Sequence, residues 1–447
     1  MTDRILTSFI LIFLVSCSGG SDATMMVIQS PNSPEHPIVW DTASPASVNM
    51  SETKLDAAFD YAFAEGTFTQ SAVVIKDGKL IYERYRGILP GEVNAIVNTS
   101  TLDNNTLQNL FAERDSRDPT SSWSSAKSFT SFLIGIAELD GFISSINDSA
   151  AMYITEWAND ERADITIKNL LDMRSGLVPM CFDFTLQNLQ ECKNRTDSAS
   201  GGDIVFADNQ LDGCINRSLA ESGVLQPWFS DTDIYNRGDF LYSNCDTMVL
   251  GEIIYRATGQ DIQTYAEQKL FSKIYINAAW WKDFVEFGQS NGNVLAYCCL
   301  DTTARDFAKF GYMLLLGGVW EDGNVSYSSY VNQIRNLDYY GLQFWKICAK
   351  PLDQNGNCPN NVFIHSTIGF DGQYIMIDFN RDIVVVRNSL YAPILNLSNE
   401  RKMRIEPNNI NGSNWILTLP QASGAPINTS FNASRFFDLV TQAIEQS

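Results

Sequence analysis

The first amphipathic pattern of hydrophobic and polar positions along the chain is helical, and patterns typical of strands follow it. Apolar residues recur at helical spacing over 53–64. Two short runs rich in β-branched and apolar residues follow at 71–76 and 79–84, joined by Asp77-Gly78. This dipeptide favours the tight turn of an antiparallel hairpin. We therefore predict a helix followed by a β-hairpin.

Strand patterns return near the end of the chain. Apolar β-branched runs occupy 373–378 and 383–387 with a short polar turn between them, and an amphipathic helical pattern covers 434–444. Helical patterns dominate the middle. We predict an α+β fold in which one antiparallel sheet, built from both chain ends, is flanked by helices. A mainly helical lobe is inserted at about 120–285.

The clearest candidate for chemistry is the tetrapeptide Ser124-Ser125-Ala126-Lys127. Positions i and i+3 of a helix lie on one face, so a neutral Lys127 amine could take the proton of the Ser124 hydroxyl. Apolar residues follow at helical spacing, which predicts that Ser124 opens a buried helix whose free N–H groups favour negative charge. The chain has only two histidines, which leaves little for a Ser-His-Asp triad.

The S-x-x-K pattern is weak evidence by itself. An ordinary N-cap serine would produce the same string at 124–127. A second copy, Ser51-Glu52-Thr53-Lys54, precedes an amphipathic run, and we interpret Ser51 as a helix N-cap.

A tyrosine followed two residues later by an asparagine is the second element expected of this chemistry. Such strings begin at Tyr242, Tyr275 and Tyr330. Only Tyr242-Ser243-Asn244 precedes a strong helical pattern that could fix its side chains in a cleft. We therefore select Tyr242.

Five motifs in this order resemble those of the serine β-lactamase-like superfamily. They are WSSAKSFTS at 123–131, ITIKNLLDMRSGL at 165–177, YSN at 242–244, TARDFAKFG at 303–311 and GFDGQY at 369–374. The resemblance covers about 51–447, which we expect to form one hydrolase domain. It is strongest to the class C-like branch that includes 6-aminohexanoate-dimer hydrolases and β-lactamase-fold esterases.

The resemblance implies a role for each matching side chain. Ser124 matches the acylated nucleophile, Lys127 its base, and Tyr242 the residue that relays a proton to the leaving group. Asn244 matches the residue that positions Lys127 or the substrate amide. Lys127 must then be largely neutral, so its pKa must fall from about 10.4 through desolvation and nearby dipoles.

The third family element, Lys-Thr-Gly or His-x-Gly, is replaced here by Thr367-Ile368-Gly369. His365 would project to the same strand face as Thr367 and is expected to supply some positive charge below roughly pH 6.5. The missing lysine disfavours recognition of a β-lactam carboxylate. We expect Thr367, Gly369 and His365 to line the substrate site, and the N–H groups of Ser124 and Phe370 to bind the oxyanion.

The first residues predict export from the cytoplasm. The apolar run at 5–15 follows Arg4 and is shorter than the roughly 20 residues that cross a bilayer. It fits a signal peptide, and the LVSC string ending at Cys17 resembles a bacterial lipobox. We expect a signal peptide at 1–16, a tether at 17–50 and a lipid-anchored protein facing the periplasm, on the outer membrane. An ordinary signal peptide that leaves Cys17 unmodified is the alternative.

Nine cysteines, or eight without Cys17, suit an oxidising compartment. Cys348 and Cys358 flank a turn-rich stretch and are predicted to pair, which would stabilise the fold by roughly 2–3 kcal/mol. One further bridge is expected in a loop-rich insertion ending near 225. That insertion contains Cys181, Cys192 and Cys214. A zinc site is disfavoured because no C-x-x-C pair occurs and histidine is scarce.

The formal charge of −21 argues against nucleic acid as a partner, because phosphates require basic surfaces. We expect a small ester, amide or peptide substrate, no cofactor, no metal, and membrane contact only through the anchor. The leading hypothesis is a serine hydrolase that forms an acyl-enzyme at Ser124. The alternatives are a penicillin-binding-like protein or β-lactamase acylated by β-lactams or peptidoglycan peptides, and an inactive scaffold.

Overall fold

The structure is a computed structural model that describes residues 40–97, 103–178, 209–225, 234–283, 292–320, 323–325, 328–390, 404–405 and 430–445. Cys17, the predicted signal peptide at 1–16 and most of the predicted tether lie outside the described residues, as do Cys181 and Cys192. The predicted domain limits therefore stay a prediction.

Helices occur along the whole described chain, with the longest ones in its middle. They are α1 (Glu52–Ala62), α2 (Pro90–Val97), α3 (Asn104–Leu110), α4 (Ala126–Leu139), α5 (Ile167–Leu171), α6 (Gln210–Ile215), α7 (Asn244–Thr258), α8 (Ile262–Ala266), α9 (Ser272–Ile274), α10 (Ala304–Leu315), α11 (Ser328–Arg335) and α12 (Ala433–Gln442). Both α1 and α12 lie within two residues of the limits predicted for them. None of the helices in these ranges is long and apolar enough to cross a membrane.

The strands within the described ranges form one large sheet and three small ones. They are β1 (Thr69–Lys76), β2 (Lys79–Tyr85), β3 (Pro119–Ser121), β4 (Val224–Leu225), β5 (Ile234–Tyr235), β6 (Ala279–Lys282), β7 (Leu300–Thr303), β8 (Val319–Trp320), β9 (Gly323–Asn324), β10 (Tyr340–Gly341), β11 (Phe344–Cys348), β12 (Phe363–Gly369), β13 (Gln373–Asp378), β14 (Ile383–Ser389) and β15 (Arg404–Ile405).

The large sheet joins the two ends of the chain. Its seven strands run in the order β10-β11-β12-β13-β14-β1-β2, and every neighbouring pair is antiparallel. Val73 of β1 lies opposite Val386 of β14, so the first hairpin continues the last strands. The hairpin turns at Asp77 and Gly78, both with positive φ. The α+β prediction is confirmed.

Both faces of this sheet are covered, because alternate residues of a strand point to opposite sides. Val74, Met376 and Val385 pack with the apolar residues of α1 and α12. Residues at the intervening positions, such as Val73 and Ile375, belong to the larger core with α4, α7 and α10. The result is a central sheet between two helical layers.

Helix α4 runs through the larger core. Every residue from Ala126 to Ala137 is buried. The Phe129 ring stacks on Phe310 of α10 with centroids 3.8 Å apart. A helix that is buried on all sides is fixed in position, which keeps its first turn fixed as well.

Three disulfides lie within the described residues. The predicted pair Cys348–Cys358 is confirmed. Cys214 pairs with Cys245 in α7, outside the insertion in which a bridge was expected. Cys298 and Cys299, which are adjacent in sequence, also pair with each other.

Candidate active site

The predicted nucleophile lies in a tight turn that leads into α4. Residues Trp123–Ser125 form a single 3₁₀ turn, and α4 begins at Ala126. Trp123 has φ 47°, a left-handed conformation that is uncommon for a bulky residue. Its carbonyl oxygen accepts a hydrogen bond of 3.2 Å from the Cys299 N–H. Neighbouring segments thus hold the backbone beside Ser124 in a strained conformation.

Ser124 and Lys127 are brought together as their spacing predicts. Lys127 Nζ lies 2.9 Å from Ser124 Oγ. The same nitrogen donates to Asn244 Oδ1 at 2.8 Å and to the Tyr297 carbonyl oxygen at 2.9 Å. Three oxygen atoms therefore surround the Lys127 amine, and one of them belongs to the predicted nucleophile.

Burial changes the protonation of Lys127. Only 1% of the residue is exposed, and desolvation lowers its pKa well below the ordinary value of 10.5. Among the described residues, no carboxylate forms an ion pair with it. A neutral amine has two N–H groups and one lone pair. Asn244 and Tyr297 can accept both N–H groups, which leaves the lone pair directed at Ser124 Oγ.

Tyr242 also contacts Ser124. Its hydroxyl is hydrogen-bonded to Ser124, and burial raises the pKa of Tyr242 above its usual value, so the phenol stays protonated. Its ring centroid is 4.9 Å from Lys127 Nζ. Ser243 is the N-cap of α7 and accepts a hydrogen bond from the Asp246 N–H, and Asn244 is the first residue of that helix. The helix start thus fixes Tyr242 and Asn244 together.

The end of β12 lies against the nucleophile turn. A Cβ atom at Gly369 would collide with the Ser122 carbonyl oxygen, so only glycine allows this approach. The rings of Trp123 and Phe370 make an edge contact with centroids 5.7 Å apart. The segments that carry the Ser124 and Phe370 N–H groups are therefore adjacent, as the expected oxyanion site requires.

Thr367 faces inward. The residue is fully buried, its hydroxyl donates to Ser125 Oγ at 3.1 Å, and its oxygen accepts from the Ile375 N–H at 3.2 Å. Both partners belong to the protein interior. Thr367 therefore links β12, β13 and the nucleophile turn, and its hydroxyl is not free to bind a substrate as the sequence led us to expect.

His365 does share a strand face with Thr367, but it cannot supply the expected charge. Its ring makes an edge contact with Phe379 at 5.1 Å. Burial, together with the nearby Lys346 cation, lowers the pKa of His365 from 6.5 to about 4. The expectation of a cationic His365 below pH 6.5 is wrong, because the sheet buries the imidazole among apolar and basic neighbours.

Tyr297 contributes a group that sequence reasoning missed. Its carbonyl oxygen is one of the three partners of Lys127, and its ring lies 5.3 Å from Nζ. A backbone carbonyl is present at every residue, so no side-chain pattern could identify this one. Among the described ranges, no group of His, Cys, Asp or Glu side chains is arranged to hold a metal ion.

Comparison with known proteins identifies the family. The family model for beta-lactamase matches residues 62–289, just over half of the chain and the part that contains Ser124, Lys127 and Tyr242. The chain therefore belongs to the beta-lactamase family. This confirms the resemblance inferred from the motifs.

Two named branches of the superfamily appear among the similar proteins. A 6-aminohexanoate-dimer hydrolase of Paenarthrobacter ureafaciens is 31% identical over 173 residues, which is 34% of this chain and 39% of that protein. A Bacillus anthracis protein assigned as a 6-aminohexanoate-dimer hydrolase superposes with a TM-score of 0.54 and 21% identity, over 80% of this chain and 83% of that one. A class C beta lactamase from Rhodobacter sphaeroides superposes with a TM-score of 0.51 and 14% identity, over 88% of this chain and 99% of that one. The two structures share the fold of this protein.

Proposed function

We propose that this protein is a serine hydrolase that cleaves small uncharged esters or amides through an acyl-enzyme at Ser124. One observation carries the proposal: a buried lysine amine lies 2.9 Å from Ser124 Oγ while two other oxygens accept its N–H groups. Family membership supports a hydrolase of this kind.

In the proposed reaction, Lys127 takes the Ser124 proton as Ser124 Oγ attacks the substrate carbonyl. The N–H groups of Ser124 and Phe370 stabilise the oxyanion. The protonated Tyr242 hydroxyl then gives a proton to the departing amine or alkoxide, and the proton held by Lys127 passes to the Tyr242 oxygen, which returns both groups to their starting forms. Water hydrolyses the acyl-enzyme, releases the acid and restores the Ser124 hydroxyl.

The surroundings of Tyr242 favour an uncharged, apolar substrate. The half-buried Trp345 lies 5.9 Å from the Tyr242 ring, and Tyr340 packs against Trp345 at 4.6 Å, in each case between centroids. Aromatic faces suit apolar groups. Thr367 stands where a β-lactamase places a lysine, and a fixed cation beside a substrate acid is worth about 1–3 kcal/mol.

Covalent labelling tests the nucleophile. Intact mass after exposure to a fluorophosphonate should show one adduct, and Ser124→Ala should abolish it while the protein stays folded. Ser51→Ala is the matched control, because Ser51 begins the other S-x-x-K string and occupies the N-cap position of α1 without a side-chain capping bond. Labelling that persists in Ser124→Ala would refute the proposal.

Parallel kinetics test the substrate class. We expect turnover of p-nitrophenyl butyrate and a lower kcat/KM for nitrocefin. A kcat/KM that favours nitrocefin by more than about tenfold would replace the esterase or amidase with a β-lactamase. Stable acylation by penicillin without turnover of either substrate would indicate a penicillin-binding-like protein.

A further inference from the structure

Two of the three oxygen atoms around the Lys127 amine, Asn244 Oδ1 and the Tyr297 carbonyl oxygen, belong to residues that directly precede a disulfide cysteine. Tyr297 precedes Cys298, which pairs with Cys299, and Asn244 precedes Cys245, which pairs with Cys214. We propose that these two disulfides are positioning elements for the lysine base, an inference that rests on the proposed hydrolase function. The Cys348–Cys358 disulfide joins the end of β11 to the segment before β12, and neither of its cysteines is adjacent in sequence to an acceptor residue.

The Cys298–Cys299 pair fixes the Tyr297 carbonyl group. Both cysteines are buried, and Cys299 has φ 64°, in the left-handed region. The Cys299 N–H donates to the Trp123 carbonyl oxygen, and its own carbonyl oxygen accepts from the Trp281 N–H at 2.9 Å. A bond between adjacent cysteines restricts the backbone between them. It therefore holds the Tyr297 carbonyl and the Trp123 turn in one arrangement around Ser124 and Lys127.

The Cys214–Cys245 pair fixes the other acceptor. It ties the first turn of α7, where Asn244 lies, to α6. Helix α6 also supplies Gln210, whose Oε1 accepts a hydrogen bond of 2.7 Å from the Tyr297 hydroxyl. The same short helix is thus bonded covalently to one acceptor segment and by a hydrogen bond to the other.

Loss of either disulfide should change the chemistry of Lys127 as well as stability. If an acceptor moves, the second N–H of the neutral amine loses its partner and the lone pair is no longer directed at Ser124 Oγ. Water that enters would solvate the ammonium form and raise the pKa of Lys127 towards its ordinary value. A disulfide with a merely structural role would lower the melting temperature and leave the pH profile unchanged.

The experiment compares three double variants of the full chain on p-nitrophenyl butyrate. They are Cys298→Ala/Cys299→Ala, Cys214→Ala/Cys245→Ala and the control Cys348→Ala/Cys358→Ala. We expect kcat of each of the first two to fall at least about tenfold with little change in KM. In the pH profiles of these two variants, the acid limb should move to higher pH by about half a unit or more. The control should have a lower melting temperature than the wild type and the same pH profile of activity.

Each outcome separates the two proposals. Wild-type protein without turnover that depends on Ser124 would refute the hydrolase function itself. Turnover in the wild type with unchanged pH profiles in both site variants would leave that function intact and refute the positioning role. Site variants that fail to fold while the control folds would assign these disulfides to structure and likewise overturn the inference.

Discussion

Lys127 is a cation by its ordinary chemistry, but it lies where a cation is unfavourable. Desolvation lowers its pKa, so the neutral form that can accept a proton is populated far below pH 10.5. In the proposed mechanism, burial of Lys127 supplies the base, and no histidine is needed.

The first prediction is the pH dependence of catalysis. The value of kcat/KM should rise with pH as Lys127 loses its proton, with an acid limb well below 10.5. Lys127→Arg keeps a long cation that cannot be deprotonated, so kcat/KM should fall by about 10²–10⁴-fold. Kinetics with p-nitrophenyl butyrate between pH 5 and pH 9, on the order of one point per half unit, measure both effects. Wild-type rates in Lys127→Arg would exclude lysine as the base.

The second prediction is the pH dependence of stability from His365. Its pKa is about 4 in the fold and 6.5 when unperturbed, so the unfolded chain binds more protons between these values. Stability is therefore lost as pH falls from 6.5 to about 4, by at most about 3 kcal/mol from this residue.

Denaturant unfolding of wild type and His365→Gln at the two ends of this pH window isolates the contribution of His365. Other groups titrate alike in both proteins and cancel in the difference. An equal loss of stability in both proteins on acidification would contradict the lowered pKa.

The third prediction concerns Gly369. Alanine there would push β12 away from the Ser122 carbonyl oxygen, and with it the Phe370 N–H from the oxyanion position. In the proposed mechanism this N–H binds the oxyanion, so its displacement should lower kcat/KM for the ester by about 10- to 100-fold. Gly341→Ala is the control, since its Cβ would meet its nearest neighbour at 3.4 Å. Equal activity of the two variants would show that the close approach is not needed.

At the scale of elements, the close packing of α10 on the central sheet depends on one glycine. A Cβ at Gly311 would lie 2.7 Å from Val384 Cγ1 and 2.8 Å from Ile375 Cγ2. Gly311→Val should therefore overpack the interface and cost about 1–3 kcal/mol of unfolding free energy. Leu316→Ala, at the exposed end of the same helix, should cost much less. Thermal or urea unfolding measures both, and a neutral Gly311→Val would mean that the interface can relax.

The elements with regular local patterns agree with their predicted limits. Helix α1, the β1–β2 hairpin and strands β13 and β14 all fall where periodicity and turn residues predict them. Short elements such as α6 and β7 were not predicted in detail. They are stabilised mainly by contacts with distant parts of the chain, for example the bond between Cys214 and Cys245, which a local pattern does not contain.

At the scale of the whole molecule, we propose that Cys17 carries a lipid anchor. A single lipidated terminus would tether a protein of net charge −21 without inserting the rest of it into a bilayer. Cys17→Ser should move the protein from the membrane fraction to the soluble fraction while ester hydrolysis is retained. Fractionation and N-terminal mass analysis test this. A mature N-terminus other than lipidated Cys17 would contradict the anchor.

The sequence by itself determined the fold class and the core of the candidate site. Local periodicity places strands at both ends, and the three-residue spacing of Ser124 and Lys127, across the 3₁₀ turn and the start of α4, predicts the 2.9 Å contact between their side chains. The motif order also pointed to Tyr242 and Asn244. These features follow from short-range geometry, which a sequence contains directly.

Only the tertiary structure decided how the lysine is held and what its neighbours contribute. Tyr297, whose carbonyl oxygen accepts from Lys127, lies 170 residues from it in sequence, and the Cys298–Cys299 bond follows directly after Tyr297. His365 became a neutral buried group, and Thr367 an internal link, because packing of the sheet desolvates both. Burial and backbone acceptors are properties of the folded chain as a whole, and they set the pKa values and free hydrogen-bonding groups on which the proposed chemistry depends.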